Sequence, residues 1–262
     1  MRVQRIDQIE EYIIDNKTAT LEELCEKFDI SKNTIRRDIN ELVRRGNIEK
    51  VYGGVTVVEK KTGEYAGLVS YNERNIKNHE IKDRICRLAA TYITSGDSIF
   101  IDTGTTTINI IDYIEDKENV TIITNSIEVA HKALSYPMLR LIVLPGVLNH
   151  KTASLVGSSC IESLKKFNIK KSFMACTCIS LTNGVSNATH EEYEVKKEVL
   201  KSSGECYLLA DHTKFNQTSL CTFGELQDFN YILTDITPSA EYLDVFKKHG
   251  IHLGITENKI FI

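Results

Sequence analysis

Seven short apolar runs dominate the chain from residue 98 onward: SIFID (98–102), VTIIT (120–124), LRLIVLP (139–145), KSFMACT (171–177), CYLLAD (206–211), YILTD (231–235) and IHLGIT (251–256). Helix-like stretches lie between several of them, EIKDRICRLAATYI (80–93), TINIIDYIED (107–116), SIEVAHKAL (126–134) and EYEVKKEVLKS (192–202). Strands that are apolar without alternation, interleaved with helices, predict a largely parallel sheet covered on both faces. Such a Rossmann-like α/β domain binds its ligands at the carboxyl ends of the strands.

The first fifty residues follow another pattern. Ile6, Ile9, Ile13 and Ile14 recur at helical spacing, Leu21, Leu24, Cys25 and Phe28 suggest a second short helix capped by Thr20, and Ser31 offers the N-cap of a third. That third helix turns Ile35, Ile39 and Leu42 inward and stops at Gly46. NIEKVYGGVTVV then alternates around Gly53-Gly54, which predicts a two-stranded hairpin. Three helices and a hairpin make a winged helix-turn-helix. The fold class is therefore α/β with a small winged helix-turn-helix domain at 1–57, a linker at 58–74 that carries Lys60-Lys61 and loses both periods, and the larger, mostly parallel domain at 75–262.

With Ile35 inward, Asn33, Arg37, Asn40 and Arg44 lie on the far side of the third helix and Arg36 on its flank. That stripe carries no carboxylate, and Asn and Arg are the residue types whose donors and acceptors match base edges in the major groove. A solvated charged face is the competing reading. The net charge of -4 at 262 residues excludes nonspecific attraction of nucleic acid to the whole molecule. Residues 1–30 hold four Lys or Arg against eight Asp or Glu, whereas residues 31–50 hold six against three, so the positive charge is confined to one edge.

These residues resemble the DeoR family of bacterial transcription regulators. Arg5, Ile9 and Ile13 match its pattern, followed by Ser31, Thr34, Ile35, Arg36, Arg37, Asp38 and Ile39, and VYGGV (51–55) is similar to its wing, with Tyr52 where histidine is frequent. The resemblance implies operator DNA contacts from Ser31, Asn33, Thr34, Arg36, Arg37, Asn40 and Arg44 and from Tyr52, Gly53 and Gly54. It also implies a sensor domain of the sugar-phosphate isomerase-like fold with a phosphorylated sugar as effector.

FIDTGTTT (100–107) ends a strand in Asp102 and continues through Gly104, Thr105, Thr106 and Thr107 toward a helix starting near Ile108. Read from the residues alone, it is either an ordinary threonine-capped turn or a phosphate cradle of backbone N–H groups and hydroxyls. The resemblance favours the cradle. It also implies effector contacts from Lys82, from Thr124, Asn125 and Ser126, from Gly146, from Lys196 in the helix that also holds Glu194, and from Asp211 and Lys214 of DHTKF. Two segments depart from the family: Pro145-Gly146 replaces a double glycine, and CTCISL (176–181) replaces a glycine-and-aspartate loop.

Seven cysteines without CxxC spacing argue against a zinc site, so no metal and no cofactor is expected, and the thiols are expected to be reduced. No apolar run reaches the roughly 18 residues that a membrane span needs. The expectation is a cytoplasmic protein acting as a homodimer or homotetramer on paired half-sites, since one small reading head covers one half-site. The alternatives are an isomerase-like enzyme with a DNA-binding module, for which a proton-abstracting carboxylate is wanted and MACTCISLTNG holds none, and a repressor with a vestigial ligand site.

Overall fold

The structure is a computed structural model whose description covers residues 2–45, 48–51, 53–57 and 71–256, the side chains of residues 2–4, 7, 15, 44, 45, 72 and 73 excepted. The chain forms two compact units, residues 1–64 and 65–262. Their boundary falls inside the stretch expected as linker, and a helix at Tyr71–Ile76 begins before that stretch ends.

In the first unit, helices α1 (Arg2–Asn16), α2 (Leu21–Phe28) and α3 (Lys32–Arg45) enclose Ile6, Ile9, Ile13, Leu24, Ile35, Ile39 and Leu42, all buried. Ile14 was expected inward and is 38% exposed, because one step of about 100° carries it off the stripe of Ile9 and Ile13. Thr20 caps α2 in a reciprocal box with Glu23. Asp29 ends α2 in the left-handed region at φ 50°, its N–H donating to the Cys25 carbonyl. Ser31 stands at the N-cap position of α3, where its hydroxyl accepts from Thr34 N–H at 3.4 Å. Gly46 lies outside the described residues.

The wing has three strands rather than the expected two. Gly54–Val57 pairs antiparallel with Ile48–Val51 on one side and with Thr18–Thr20, between α1 and α2, on the other. The third strand closes there because residue 54 has no side chain: a Cβ on Gly54 would stand 2.3 Å from the Ala19 carbonyl oxygen.

The second unit is a seven-stranded sheet, parallel throughout, in the order 252–255, 231–234, 203–209, 169–175, 98–101, 121–124, 140–143. Each strand coincides with one of the seven apolar runs. One face packs Ile85, Cys86 and Ala89 of helix His79–Ala90 with Val129 of helix Ile127–Ala133. The other packs Cys160 and Leu164 of helix Ser158–Leu164, Val195 and Val199 of helix His190–Ser202, and Tyr242 and Phe246 of helix Ala240–His249.

The helix expected from TINIIDYIED is a six-residue 3₁₀ turn, Ile108–Tyr113. Ile108, Ile110 and Ile111 are β-branched, which lowers helix propensity, and all three are buried, so packing sets the backbone. Two further features add to the sequence reading: a hairpin Val147–Asn149/Ser154–Val156 and a small antiparallel sheet of Cys178–Ser180, Gly184–Asn187 and Cys221–Gly224. Among the described residues, no helix is long and apolar enough to cross a membrane.

Candidate functional sites

On α3, Asn33, Arg36, Arg37 and Asn40 are exposed, as is Ser31 before it, while Thr34 is half-buried with its hydroxyl 3.0 Å from that of Ser31. The carboxylate nearest the two arginines in sequence is turned away. Asp38 is 1% exposed and takes Arg5 of α1 at 2.8–2.9 Å, which leaves Arg36 and Arg37 without a hydrogen bond or ion pair among the described residues.

Arg36 and Asn40 line a groove of about 240 Å³ against Lys50, Val51, Gly53 and Gly54 of the wing. Lys50 Nζ donates to Asn40 Oδ1 at 2.5 Å, so this asparagine, expected to be free for bases, presents only its amide donors. Gly53 holds the wing turn at φ 83°, a conformation that favours glycine. Tyr52 and the side chain of Arg44 lie outside the described residues. Lys32, the first residue of α3, pairs with Glu22 of α2 at 2.6 Å, both exposed.

The candidate effector site starts at the end of the central strand Ser98–Ile101. Asp102 donates its N–H to the Phe173 carbonyl at 3.0 Å, and its Oδ2 accepts from Ala175 N–H at 2.9 Å and from Lys196 Nζ. Lys196 also donates to the Ala175 carbonyl at 2.6 Å and sits 5.2 Å above the Phe223 ring. Asp102 and Lys196 are 2% and 3% exposed. Lys196, expected as a phosphate-binding cation, is thus first of all an internal counter-ion that clamps helix His190–Ser202 to the strand ends.

The loop that follows is held from within. Thr107 shares its hydroxyl between the carbonyls of Asp102 and Gly104, both at 2.8 Å, and the Thr106 carbonyl accepts from Cys86 Sγ at 3.0 Å. A Cβ on Gly104 would stand 2.2 Å from Ala175 Cβ, so only glycine lets the loop lie this close. The N–H groups of Gly104, Thr105 and Thr106 have no backbone acceptor among the described residues. The short 3₁₀ turn behind them adds little dipole, and the attraction for an anion comes from lysines.

Lys82 supplies the first. It is 5% exposed and donates to Thr105 Oγ1 at 3.0 Å and to the Arg74 carbonyl. Burial lowers its pKa to about 7; Asp211 pulls it up, and Lys214, Arg74 and Lys77 push it further down. Lys214 is half-buried in the turn His212–Lys214; its ammonium has no hydrogen bond or ion pair among the described residues, and its charge also reaches Cys176. Asp211 is 1% exposed, with Oδ1 accepting from Thr213 and Oδ2 buried without a partner. Asp102 is matched by Lys196, and around Lys82 the cations Lys214, Arg74 and Lys77 outnumber the carboxylate Asp211.

Other expected contacts serve the scaffold. Thr124 donates to the Ile101 carbonyl at 2.7 Å and accepts from Ser126 N–H, while the Ser126 hydroxyl caps helix Ile127–Ala133. Asn125 spends its amide on the Leu155 carbonyl at 2.9 Å but keeps a buried Oδ1 unpartnered. Gly146 admits the hairpin, since its Cβ would stand 2.7 Å from the Val156 carbonyl oxygen. Glu194 is exposed, and Glu192 is the buried carboxylate of that helix, accepting from the Thr189 hydroxyl at 3.1 Å. Its spacing of three and seven from Val195 and Val199 marks that buried face.

Burial pushes the Cys176 thiol up to about 12 although Lys214 and Lys196 favour the thiolate, so it is a protonated wall of the site at neutral pH. No group of three or more metal-ligating side chains occurs among the described residues.

Two family models match the chain: the DeoR-like helix-turn-helix domain over residues 5–61 and the DeoR C terminal sensor domain over residues 77–236. Among relatives, the HTH-type transcriptional regulator IolR of Bacillus subtilis is 41% identical over 97% of this chain and 100% of its own. The HTH-type transcriptional repressor GlcR of the same organism is 28% identical over 97% of this chain and 96% of its own. The glycerol-3-phosphate regulon repressor of Escherichia coli is 26% identical over 97% of this chain and 99% of its own. Ribose 5 phosphate isomerase A from Neisseria gonorrhoeae overlays 54% of this chain and 55% of its own at TM-score 0.40 and 13% identity, too distant to bear on function. With reading head and sensor both matched, the chain belongs to the DeoR family.

Proposed function

We propose that this chain is a DNA-binding transcriptional repressor of a carbohydrate operon, acting in the cytoplasm as a homodimer or homotetramer and leaving its operator when a phosphorylated sugar occupies the Asp102–Thr107 loop. The observation that carries the DNA half is the exposed Arg36–Arg37 pair, whose neighbouring carboxylate Asp38 is spent on Arg5. On the sensor side, three loop N–H groups and the Lys82 and Lys214 cations suit a phosphate, while the unpartnered Asp211 Oδ2 and Asn125 Oδ1 suit sugar hydroxyls. Two relatives are named repressors, one of them for glycerol 3-phosphate. The site reads as a binding site rather than a catalytic one because Asp102, a candidate base, is engaged by Lys196.

Arg37 lies nearly opposite the buried stripe, whereas Arg36 flanks the wing groove, so Arg37 is assigned to base edges and Arg36 to backbone phosphate. A lost bidentate base contact costs about 1–3 kcal/mol of discrimination. Arg37→Ala is therefore expected to narrow the ratio of operator to random-DNA affinity, measured by fluorescence anisotropy at fixed salt. Arg36→Ala lowers both affinities together. Unchanged specificity in Arg37→Ala removes Arg37 from base readout.

A further inference from the structure

Helix Tyr71–Ile76 is the first described element after the reading head, and six residues do not hold a helix unaided. It is pinned at both ends. At its start, the Tyr71 N–H donates to the Lys151 carbonyl at 3.1 Å and the Tyr71 ring is buried. Near its end, the Arg74 carbonyl accepts from the Lys82 ammonium, a cation at a helix C-terminus. The same ammonium donates to Thr105 Oγ1 of the sensor loop at 3.0 Å.

We propose that Lys82 is the relay between effector and operator: an anion bound in the sensor loop draws its ammonium away from the Arg74 carbonyl and so unpins the helix that leads from the reading head. This rests on the assignment of the loop as the effector site. The surroundings of the Lys82 ammonium disfavour its charge. Lys82 is surrounded by Asp211 from the strand end, Lys214 from the following turn, and Arg74 and Lys77 from the helix and the turn after it, a set in which repulsion outnumbers attraction. With its pKa at about 7, the amine is only partly charged at neutral pH, and a phosphate beside Thr105 both charges it and competes for it. Lys82 is in this sense a positioning residue for DNA binding, acting through helix Tyr71–Ile76.

The test is full-length Lys82→Met, whose unbranched stem fills the same buried space, on a duplex selected by the wild-type protein from a random-sequence pool. Without any ligand the variant is expected to bind that duplex about 5- to 150-fold more weakly, the range of ordinary site couplings, with its sensor domain still folded by circular dichroism. Hydrogen exchange gives a second reading that does not depend on the variant. Amides of residues 72–78 should exchange faster in wild type once glucose 6-phosphate, fructose 6-phosphate or glycerol 3-phosphate is bound. Wild-type operator affinity in folded Lys82→Met, or unchanged exchange in wild type saturated with a phosphate that releases DNA, overturns the relay. If Lys82→Met loses operator affinity and none of the three phosphates affects wild type, the pinning of the helix by Lys82 stands and the sugar-phosphate assignment falls.

Discussion

Replacing Asp102 with alanine is expected to cost the sensor domain about 3–5 kcal/mol, the usual penalty for removing one partner of a buried ion pair. Lys196 is 3% exposed and would keep the Ala175 carbonyl and the Phe223 ring but no counter-charge, while the Ala175 N–H would lose the Asp102 carboxylate. The cost comes from the charge and donor left behind. It is a large share of the 5–15 kcal/mol that stabilises a domain. Asp102→Asn, which keeps an oxygen for the Ala175 N–H, is expected to lose less. Urea unfolding followed by circular dichroism measures both, and an Asp102→Ala midpoint equal to wild type would show that the pair is dispensable.

Gly104→Ala is expected to abolish the effector response while leaving operator binding intact. The added methyl would stand 2.2 Å from Ala175 Cβ, and Ala175 cannot retreat, because Asp102 holds its N–H and Lys196 its carbonyl. The loop must move instead, carrying the N–H groups of Gly104, Thr105 and Thr106 off their positions. A displacement near 1 Å of groups meant to act together costs on the order of 100-fold. Lys82 loses Thr105 but keeps the Arg74 carbonyl, and α3 is distant in sequence, so the variant should hold its operator at effector concentrations that release wild type. Anisotropy titrations with and without glucose 6-phosphate, fructose 6-phosphate and glycerol 3-phosphate read this directly. A wild-type response in Gly104→Ala would place the effector elsewhere.

All seven strands of the large sheet were legible because strands buried on both faces leave unbroken apolar runs. The three helices of the reading head were legible because one face of each is buried and the other wet. What escaped was set by contacts distant in sequence. The third strand of the wing, Thr18–Thr20, is three residues long and exists because Gly54 lets it approach. Among the candidate site residues, residue type and spacing pointed to the loop that starts at Asp102, and the resemblance implied Lys82, Asp211 and Lys214, but neither could separate groups free for a ligand from fasteners. Thr124 and Ser126 have the same hydroxyl chemistry as Thr105, yet their hydroxyls bind a neighbouring strand and a helix end. The Arg74 carbonyl could not be anticipated, since a backbone oxygen has no residue type.

Coupling of a phosphorylated sugar to operator DNA within one molecule requires reciprocal linkage between the two ligands. The dissociation constant of glucose 6-phosphate, fructose 6-phosphate or glycerol 3-phosphate is measured by calorimetry for the free protein and for the protein saturated with its selected duplex. The same phosphate is then titrated against operator affinity. Operator is expected to weaken the phosphate, and the phosphate operator, by one common factor of about 5- to 150-fold. Phosphate affinity that is identical with and without DNA, beside unchanged operator affinity, would contradict it.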